Sequence, residues 1–365
     1  YIKYKKKYLE LKNTPTNTLF GGQLHYKFSN NKFSSVLPEL NNTFLTYFVR
    51  DFSRHQGDDV SDHSIWTALV IADWINTKNK WVSGIDSKYH DILVFSAFIH
   101  DIGNTGDGDF NTLISSYKHT HHKDGVDIIL GNKKYITYSN DFDAAINSTI
   151  KDPKYNDERT LNKSTNNALK QIDKYSTNIE TMFINAGFTI EELTICAMIV
   201  GMIDEFDELV VEPINKSTEK NVENSHFISY ITKFNELLEL IKNHHNQTKM
   251  DSLKIDKTTL TRMCLAVSAA NHKGHSIIEG KLDDLPIPTT VYPTSSFKKL
   301  EKKNLDKFLN KLAESSSKYE QYYKYVDKIL ELIKVKNLKN EKLDKASPKL
   351  KKKCSNKNDF KCMIQ

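Results

Sequence analysis

Apolar side chains recur at the spacing of an α-helix through most of this 365-residue chain, and this periodicity constrains its fold more than any other feature. Between about residue 36 and residue 275, apolar residues repeat every three or four positions and so line one face of a helix. The stripes include Ile65, Leu69, Ala72 and Ile75; Ile92, Phe95, Ala97 and Ile99; Ile195, Ile199 and Ile203; and Leu265 and Ala269. The alternation typical of a half-buried strand is nearly absent. The sequence therefore predicts an all-α fold.

The composition changes along the chain and predicts where the folded body ends. Three prolines, Pro286, Pro288 and Pro293, favour a linker after the body. Beyond them, a second helical pattern that includes Tyr322 and Val326 predicts a helical hairpin. The predicted divisions are a basic N-terminal segment at residues 1–22, a body at 23–280 with a polar surface loop at 151–180, a linker at 281–296, the hairpin at 297–336, and a basic, disordered tail at 337–365.

The net charge of +6 does not predict nucleic-acid binding by the body. Residues 1–12 carry +4 and residues 341–365 carry +5, which leaves −3 for residues 13–340. A basic face on the body is therefore disfavoured, whereas contact of the two ends with an anionic surface stays open. The longest uncharged apolar stretch, Leu193–Ile203, is shorter than the ~20 residues that span a bilayer.

The cysteines do not form the pattern of a disulfide framework. Cys196 and Cys264 lie in apolar helical runs and are predicted to be small core residues, whereas Cys354 and Cys362 lie in the polar tail. Reduced thiols are the simplest interpretation, and they favour an intracellular location.

Histidine and aspartate residues cluster where the predicted helices begin or end. In chain order these residues are His63, His100, Asp101, His119, His121 and His122, and Asp204 is predicted to lie inside the strongly apolar helix that follows. Imidazole nitrogen and carboxylate oxygen together suit a divalent transition ion such as Mn, Fe, Co or Zn. An adjacent His–Asp pair can place both side chains on one ion, and the second aspartate oxygen can reach another. The pattern therefore predicts a site for one or two divalent ions.

Three sequence motifs that contain these histidines and aspartates together resemble the HD-domain superfamily of metal-dependent phosphohydrolases, which includes cyclic-nucleotide phosphodiesterases and nucleotidases. The motifs are AFIHDIGNTGDGDF, the upstream DHS and the downstream HTHHKDGVDIIL. The resemblance covers roughly residues 45–210. It implies a helical bundle with a metal site at its centre, in agreement with the all-α prediction.

The resemblance also implies roles for individual residues. His63, His100, Asp101 and Asp204 match the metal ligands of the family. His121 and His122 match its additional histidines, which would serve a second metal ion or protonate the leaving group, and the sequence does not decide between these roles. His119 matches less well. Candidate phosphate contacts, chosen only because they lie near the motifs, are Lys118, Lys123, Arg50 and Arg54.

The chain departs from the family pattern at several positions. Asn104 stands where many members have a lysine after the HDIG motif, and the later histidine of the family has no counterpart near residues 151–152. The segment AVSAANHKGH offers Asn271 as a rival to Asp204, but a carboxylate balances a dication and an amide does not. The remaining pairs, His244 and His245 and also His272 and His275, are interpreted as surface or core histidines.

The leading functional prediction is an HD-type phosphohydrolase that hydrolyses a small nucleotide or cyclic-nucleotide phosphoester with metal-activated water. One alternative is a di-iron oxygenase, because some members of the same helical family use two irons and oxygen. Another is a catalytically silent, membrane-associated scaffold that keeps the fold.

The two ends of the chain carry their own signals. The terminal residues Cys362 to Gln365 form a C-a-a-X pattern of the farnesylated class, and a polybasic stretch at Lys349 and Lys351–Lys353 precedes it. A lipid at Cys362 together with this basic patch predicts attachment to a membrane surface; the alternative is an ordinary solvated tail. The N-terminal KYLELK…GG pattern resembles segments of giant DNA virus proteins, which would place the chain in a host cytoplasm; a solvated helix is the alternative.

Overall fold

The computed structural model of the protein describes residues 26–40, 60–104, 121–138, 174–216, 223–245, 254–279 and 318–334. The α-helices are α1 Asn31–Leu40, α2 Val60–Thr77, α3 His90–Ile99, α4 His121–Ile129, α5 Ile179–Asn185, α6 Ile190–Met202, α7 Glu212–Lys216, α8 Glu223–His244, α9 Lys257–Glu279 and α10 Lys318–Lys334. Short 3₁₀ turns lie at Ser87–Tyr89 and Ile102–Asn104, and a π-helix lies at Asp207–Val211. The strands are β1 Tyr135–Tyr138 and β2 Lys174–Thr177.

Helices dominate the described residues, so the all-α prediction is confirmed at this level. The helices α3 and α6 lie at the centre of the packing. Every α3 residue from Asp91 to Ile99 is buried, and so is the run Leu193–Val200 of α6. A helix that is apolar on all sides must be covered by others. Helices α2 and α9 pack against each other and both contact α3, while α6 contacts α3, α4, α8 and α9.

The two strands correct one prediction from the sequence. Residues 151–180 were expected to form a surface loop; residues 151–173 lie outside the described part, but residues 174–177 form β2 and Ile179 begins α5. β2 pairs antiparallel with β1, with Tyr135 opposite Thr177. The Tyr135 side chain is buried and donates a hydrogen bond to the carbonyl of Leu40 at 2.9 Å. Four-residue strands are too short to show a period-two pattern, and their partner is distant in the sequence.

Local capping explains where α6 begins. The hydroxyl of Thr189 accepts a hydrogen bond from the backbone N–H of Glu192, and the Glu192 carboxylate accepts one from the backbone N–H of Thr189. This reciprocal arrangement satisfies N–H groups that a helix start leaves without partners. Glu192 also pairs with Lys32 of α1 at 2.6 Å, so the same carboxylate ties α1 to the central helix.

The C-terminal helix α10 packs on the body. It contacts α8 and α9, and its apolar stripe of Tyr322, Val326 and Ile329 is buried in the main core. This helix is the second half of the predicted hairpin, whereas the first half, at 297–317, lies outside the described residues. The predicted N-terminal segment, linker and tail, including Cys354 and Cys362, lie outside them as well.

Two further sequence predictions can be compared with the described residues. Cys196 and Cys264 are both free thiols in the core, as predicted. Within the part of the chain that the structure covers, no helix combines the length and the apolar character needed to cross a membrane.

Candidate metal centre

The first half of the candidate site is the pair His100–Asp101, which lies just after the C-terminus of α3. Both side chains are buried, and Nε2 of His100 lies 3.3 Å from Oδ2 of Asp101. Nδ1 of His100 lies 2.7 Å from the carbonyl oxygen of Ala97. Since a carbonyl only accepts hydrogen bonds, Nδ1 carries a proton and Nε2 of the neutral ring is an acceptor that faces a carboxylate. Such a pair needs a proton or a metal ion between its two acceptors.

The second half is the pair His122–Asp204. His122 lies in the first turn of α4, and Asp204 follows the end of α6, two residues past Met202 rather than within the helix as the apolar run suggested. Nε2 of His122 lies 2.8 Å from Oδ2 of Asp204. The imidazole is largely buried, whereas the carboxylate is 39% exposed. The aspartate is therefore open to solvent on one side.

The two pairs form one electrostatic cluster. Burial lowers the pKa of His100, but Asp101, the Ala97 carbonyl and Asp204 together outweigh it, so the pKa is raised. Burial likewise lowers the pKa of His122, but Asp204, Asp101 and Glu205 raise it further than burial lowers it. Each imidazole thus interacts with both aspartates. Two imidazole–carboxylate pairs therefore lie within electrostatic range of each other where α3, α4 and α6 come together.

Two glycines explain how closely these helices approach. A Cβ atom on Gly125 of α4 would lie 2.5 Å from Cγ1 of Val200 on α6. A Cβ atom on Gly201 of α6 would lie 2.4 Å from Cδ2 of Leu237 on α8 and 3.0 Å from Cγ2 of Val126 on α4. Gly125 lies one helical turn from His122, and Gly201 lies three residues before Asp204. The glycines therefore allow the contact between α4 and α6 that brings the second pair together.

Asn271 of α9 lies beside Asp204. The sequence treats it as a rival to Asp204, but the structure brings the two together: Nδ2 of Asn271 donates to Oδ1 of Asp204 at 3.4 Å. Asn271 is only 9% exposed, and its Oδ1 has no hydrogen-bond partner among the described residues. The segment AVSAANHKGH was the signal for it, because it places a polar residue at the end of a buried helical stripe.

An ion pair beside the cluster was missed altogether. Glu205 pairs with Lys233 of α8, and both side chains are largely buried. Burial raises the pKa of Glu205, and the charges of Lys233 and His122 oppose that rise. Tyr230, one turn before Lys233, is fully buried, and its hydroxyl has no hydrogen-bond partner within the described residues. Nothing in the sequence near Asp204 signalled these α8 residues.

The remaining candidates are placed only in part. His63 lies in α2 and His121 begins α4, but their side chains are not among those described. Lys123 lies in α4 beside His122, and its charge opposes the rise that burial causes in the pKa of Asp127. Lys118, His119, Arg50 and Arg54 lie outside the described residues.

Comparisons with known proteins add no assignment. No protein-family model, curated protein or solved structure matches this chain. Its function is therefore inferred from its residues and their geometry.

Proposed function

We propose that this protein is an HD-type metal-dependent phosphohydrolase that acts on a nucleotide or cyclic-nucleotide phosphoester. The observation that carries the proposal is the electrostatic cluster of two pairs, His100 with Asp101 and His122 with Asp204. These residues come from three separate parts of the chain, and all four belong to the set that the family resemblance singles out.

The chemistry of this donor set fits a divalent transition ion. A buried carboxylate such as that of Asp101 is costly unless a cation balances it, and the partly exposed Asp204 adds a second negative charge to the cluster. Neutral imidazole nitrogen and carboxylate oxygen are the ligands that Mn, Fe, Co and Zn accept. The partial exposure of Asp204 gives a small phosphoester a side from which to approach.

Each residue then has a defined task. His100, Asp101, His122 and Asp204 would hold the metal, and His63 and His121 would complete the ligand set by resemblance to the family. A bound metal supplies a hydroxide nucleophile at neutral pH and charge stabilisation for a phosphoryl group. The Ala97 carbonyl fixes the tautomer of His100, and Asn271 orients Asp204 through a hydrogen bond.

Elemental mass spectrometry of the purified chain tests the proposal, with Asp101→Ala as the site variant. Asp327→Ala is the matched control, because Asp327 is exposed on α10. We expect Asp101→Ala to hold one to two equivalents of Mn, Fe, Co or Zn fewer than the wild type and the control. Wild type and variants are then compared on nucleotides, cyclic nucleotides and other phosphoesters.

The outcomes separate the alternatives. Metal-dependent hydrolysis that disappears in Asp101→Ala supports the phosphohydrolase. Iron with substrate-dependent oxygen uptake and no hydrolysis would support the di-iron oxygenase instead. Tight metal binding without turnover of any phosphoester would favour a catalytically silent scaffold. Unchanged metal content in Asp101→Ala would overturn the site.

A further inference from the structure

A second cluster of potential metal ligands lies where α8 ends. His244 is the last residue of α8, His245 follows it, and Glu180 lies in the first turn of α5. Nε2 of His244 lies 3.6 Å from Oε1 of Glu180, and Nδ1 of His245 lies 3.7 Å from the same oxygen. The three ligand atoms all lie within 4.8 Å of one another. The sequence interpretation of these histidines as surface or core residues did not foresee the glutamate beside them.

The spacing suits one shared ion better than direct hydrogen bonds. Both nitrogen–oxygen separations exceed the usual length of an N–H···O hydrogen bond. Ligands of a tetrahedral ion with bonds of about 2.0–2.2 Å lie about 3.4 Å apart, close to the separations here. Both imidazoles face the same carboxylate oxygen, and an ion pair with that oxygen would involve only one of the two rings. A single divalent cation, in contrast, can bind both imidazoles and the carboxylate.

Two local features position the carboxylate of Glu180: the close approach of Gly131 and the helix cap at Asn178. Gly131 has a φ of +74°, and a Cβ atom there would lie 2.6 Å from Oε2 of Glu180. Any larger residue would therefore strain the backbone and displace the carboxylate. The side chain of Asn178 caps the start of α5 by accepting a hydrogen bond from the N–H of Thr181, which fixes the turn that carries Glu180.

The position at a helix C-terminus also favours a cation. The final carbonyl groups of α8 give this end of the helix a partial negative charge. His245 is buried with 5% of its side chain exposed, whereas His244 and Glu180 are 26% and 23% exposed. The cluster is thus buried on one side and open to solvent on the other, which leaves room for a water as a further ligand.

We propose that Glu180, His244 and His245 form a second metal site, which takes a zinc-class divalent ion and clasps the start of α5 to the end of α8. Two imidazoles and one carboxylate are a ligand set that Zn²⁺ and Co²⁺ accept. This site shares no residue with the candidate metal centre, and it does not depend on the proposed phosphohydrolase activity. Its role is to stabilise the junction of the two helices.

The test counts metal after the candidate centre has been removed. In the full-length Asp101→Ala/Asp204→Ala background, Co²⁺ is titrated while its visible d–d absorption is recorded, and Zn²⁺ is titrated while the melting temperature is followed. We expect one equivalent of tightly bound Co²⁺, and a melting temperature that rises by about 5 °C when free Zn²⁺ is a hundredfold above its Kd. Adding Glu180→Gln or His244→Asn should weaken Co²⁺ binding at least tenfold and remove the thermal shift.

Matched controls keep the result specific. Glu239→Gln removes an exposed carboxylate from α8, and His226→Asn removes a histidine of the same helix outside the cluster; both should bind Co²⁺ like their background. If the double background does not fold, the same variants are made in the wild-type chain, where Glu180→Gln should lower the metal content by one equivalent. Co²⁺ binding that Glu180→Gln leaves unchanged, or a folded double background that binds no Co²⁺, would overturn the proposal.

The two metal proposals fail separately. If metal is lost in Asp101→Ala but kept in Glu180→Gln, the proposal of a second site is rejected and the candidate metal centre stands. Metal that is lost in Glu180→Gln but kept in Asp101→Ala would support the second site and reject the candidate metal centre.

Discussion

Nε2 of His122 lies 2.8 Å from Oδ2 of Asp204, although His122 lies in α4 and Asp204 follows the end of α6. The same two side chains interact electrostatically with the His100–Asp101 pair. Asp204 contacts one imidazole and lies within electrostatic range of a second, and such a carboxylate is suited to bind a cation. Mutation of this contact is therefore the most direct test of the proposed function.

Asp204→Asn should remove the metal-dependent activity without unfolding the protein. The amide has nearly the shape of the carboxylate but no charge to balance a dication, and Asp204 is partly exposed, so packing is little affected. We expect at least a hundredfold loss of phosphoesterase turnover, with a circular dichroism spectrum and melting curve close to wild type. Asp327→Asn on α10 is the charge-matched control. Turnover within a factor of three of wild type would contradict the assignment.

Asn271→Ala should weaken the site without abolishing it. The Asn271 amide donates to Asp204, and partners of metal ligands usually contribute 10- to 100-fold in metal affinity or activity. We therefore expect metal affinity, measured by competition with a chelating dye, to fall by about that factor. Complete loss of the metal would mean that Asn271 is itself a ligand, and no change would mean that its contact with Asp204 is incidental.

Gly201→Ala should destabilise the fold by about 1 to 3 kcal/mol, measured by urea denaturation. The new methyl group would lie 2.4 Å from Cδ2 of Leu237, so this buried side chain or the helix that carries it would have to shift. The double variant Gly201→Ala/Leu237→Ala should be less destabilised than the sum of the single variants, because the smaller side chain gives the methyl room. Gly84→Ala is the control, because a Cβ there would meet only the flexible end of Arg262. Strict additivity of the double variant would contradict the proposed clash.

Glu236→Gln should change how stability depends on pH. Burial raises the pKa of Glu236 from 4.5 to about 7, a rise that Lys233 only partly opposes, and its Oε2 has no hydrogen-bond partner among the described residues. The folded chain therefore holds the carboxyl proton of Glu236 more tightly than the unfolded chain does. As a result, the contribution of Glu236 to stability is largest below pH 4.5 and is lost as the pH rises toward 7.

The neutral glutamine carries no such dependence. After discounting for the partial exposure of this side chain, Glu236→Gln should be more stable than wild type by about 1 to 2 kcal/mol at pH 8, and the gain should vanish at pH 4. Urea denaturation at both pH values measures the difference. Glu239→Gln, exposed on the same helix, should show no such gain. An equal effect of Glu236→Gln at the two pH values would refute the prediction.

Much of the helical structure is predictable from local patterns. The stripe at Ile92, Phe95 and Ile99 anticipates α3, which is buried throughout, and Tyr322 with Val326 anticipates α10. Each of these patterns repeats within three or four residues, which is the range of helical hydrogen bonds. The strands β1 and β2 cannot be predicted from local patterns, because their pairing joins segments that are distant in the sequence.

For the candidate centre, the sequence by itself determined which side chains have metal-binding chemistry, and it placed His100 and Asp101 together, because neighbours in the chain at a helix end need no tertiary contact to meet. Only the tertiary structure decided that His122 faces Asp204, that Asn271 donates a hydrogen bond to this aspartate, and that Glu180 lies near His244 and His245. These contacts depend on how closely helices pack, and Gly125 and Gly201 permit that distance because a Cβ at either position would clash with a partner far away in the chain. Periodicity is a property of one helix, whereas a site built between helices is a property of their packing.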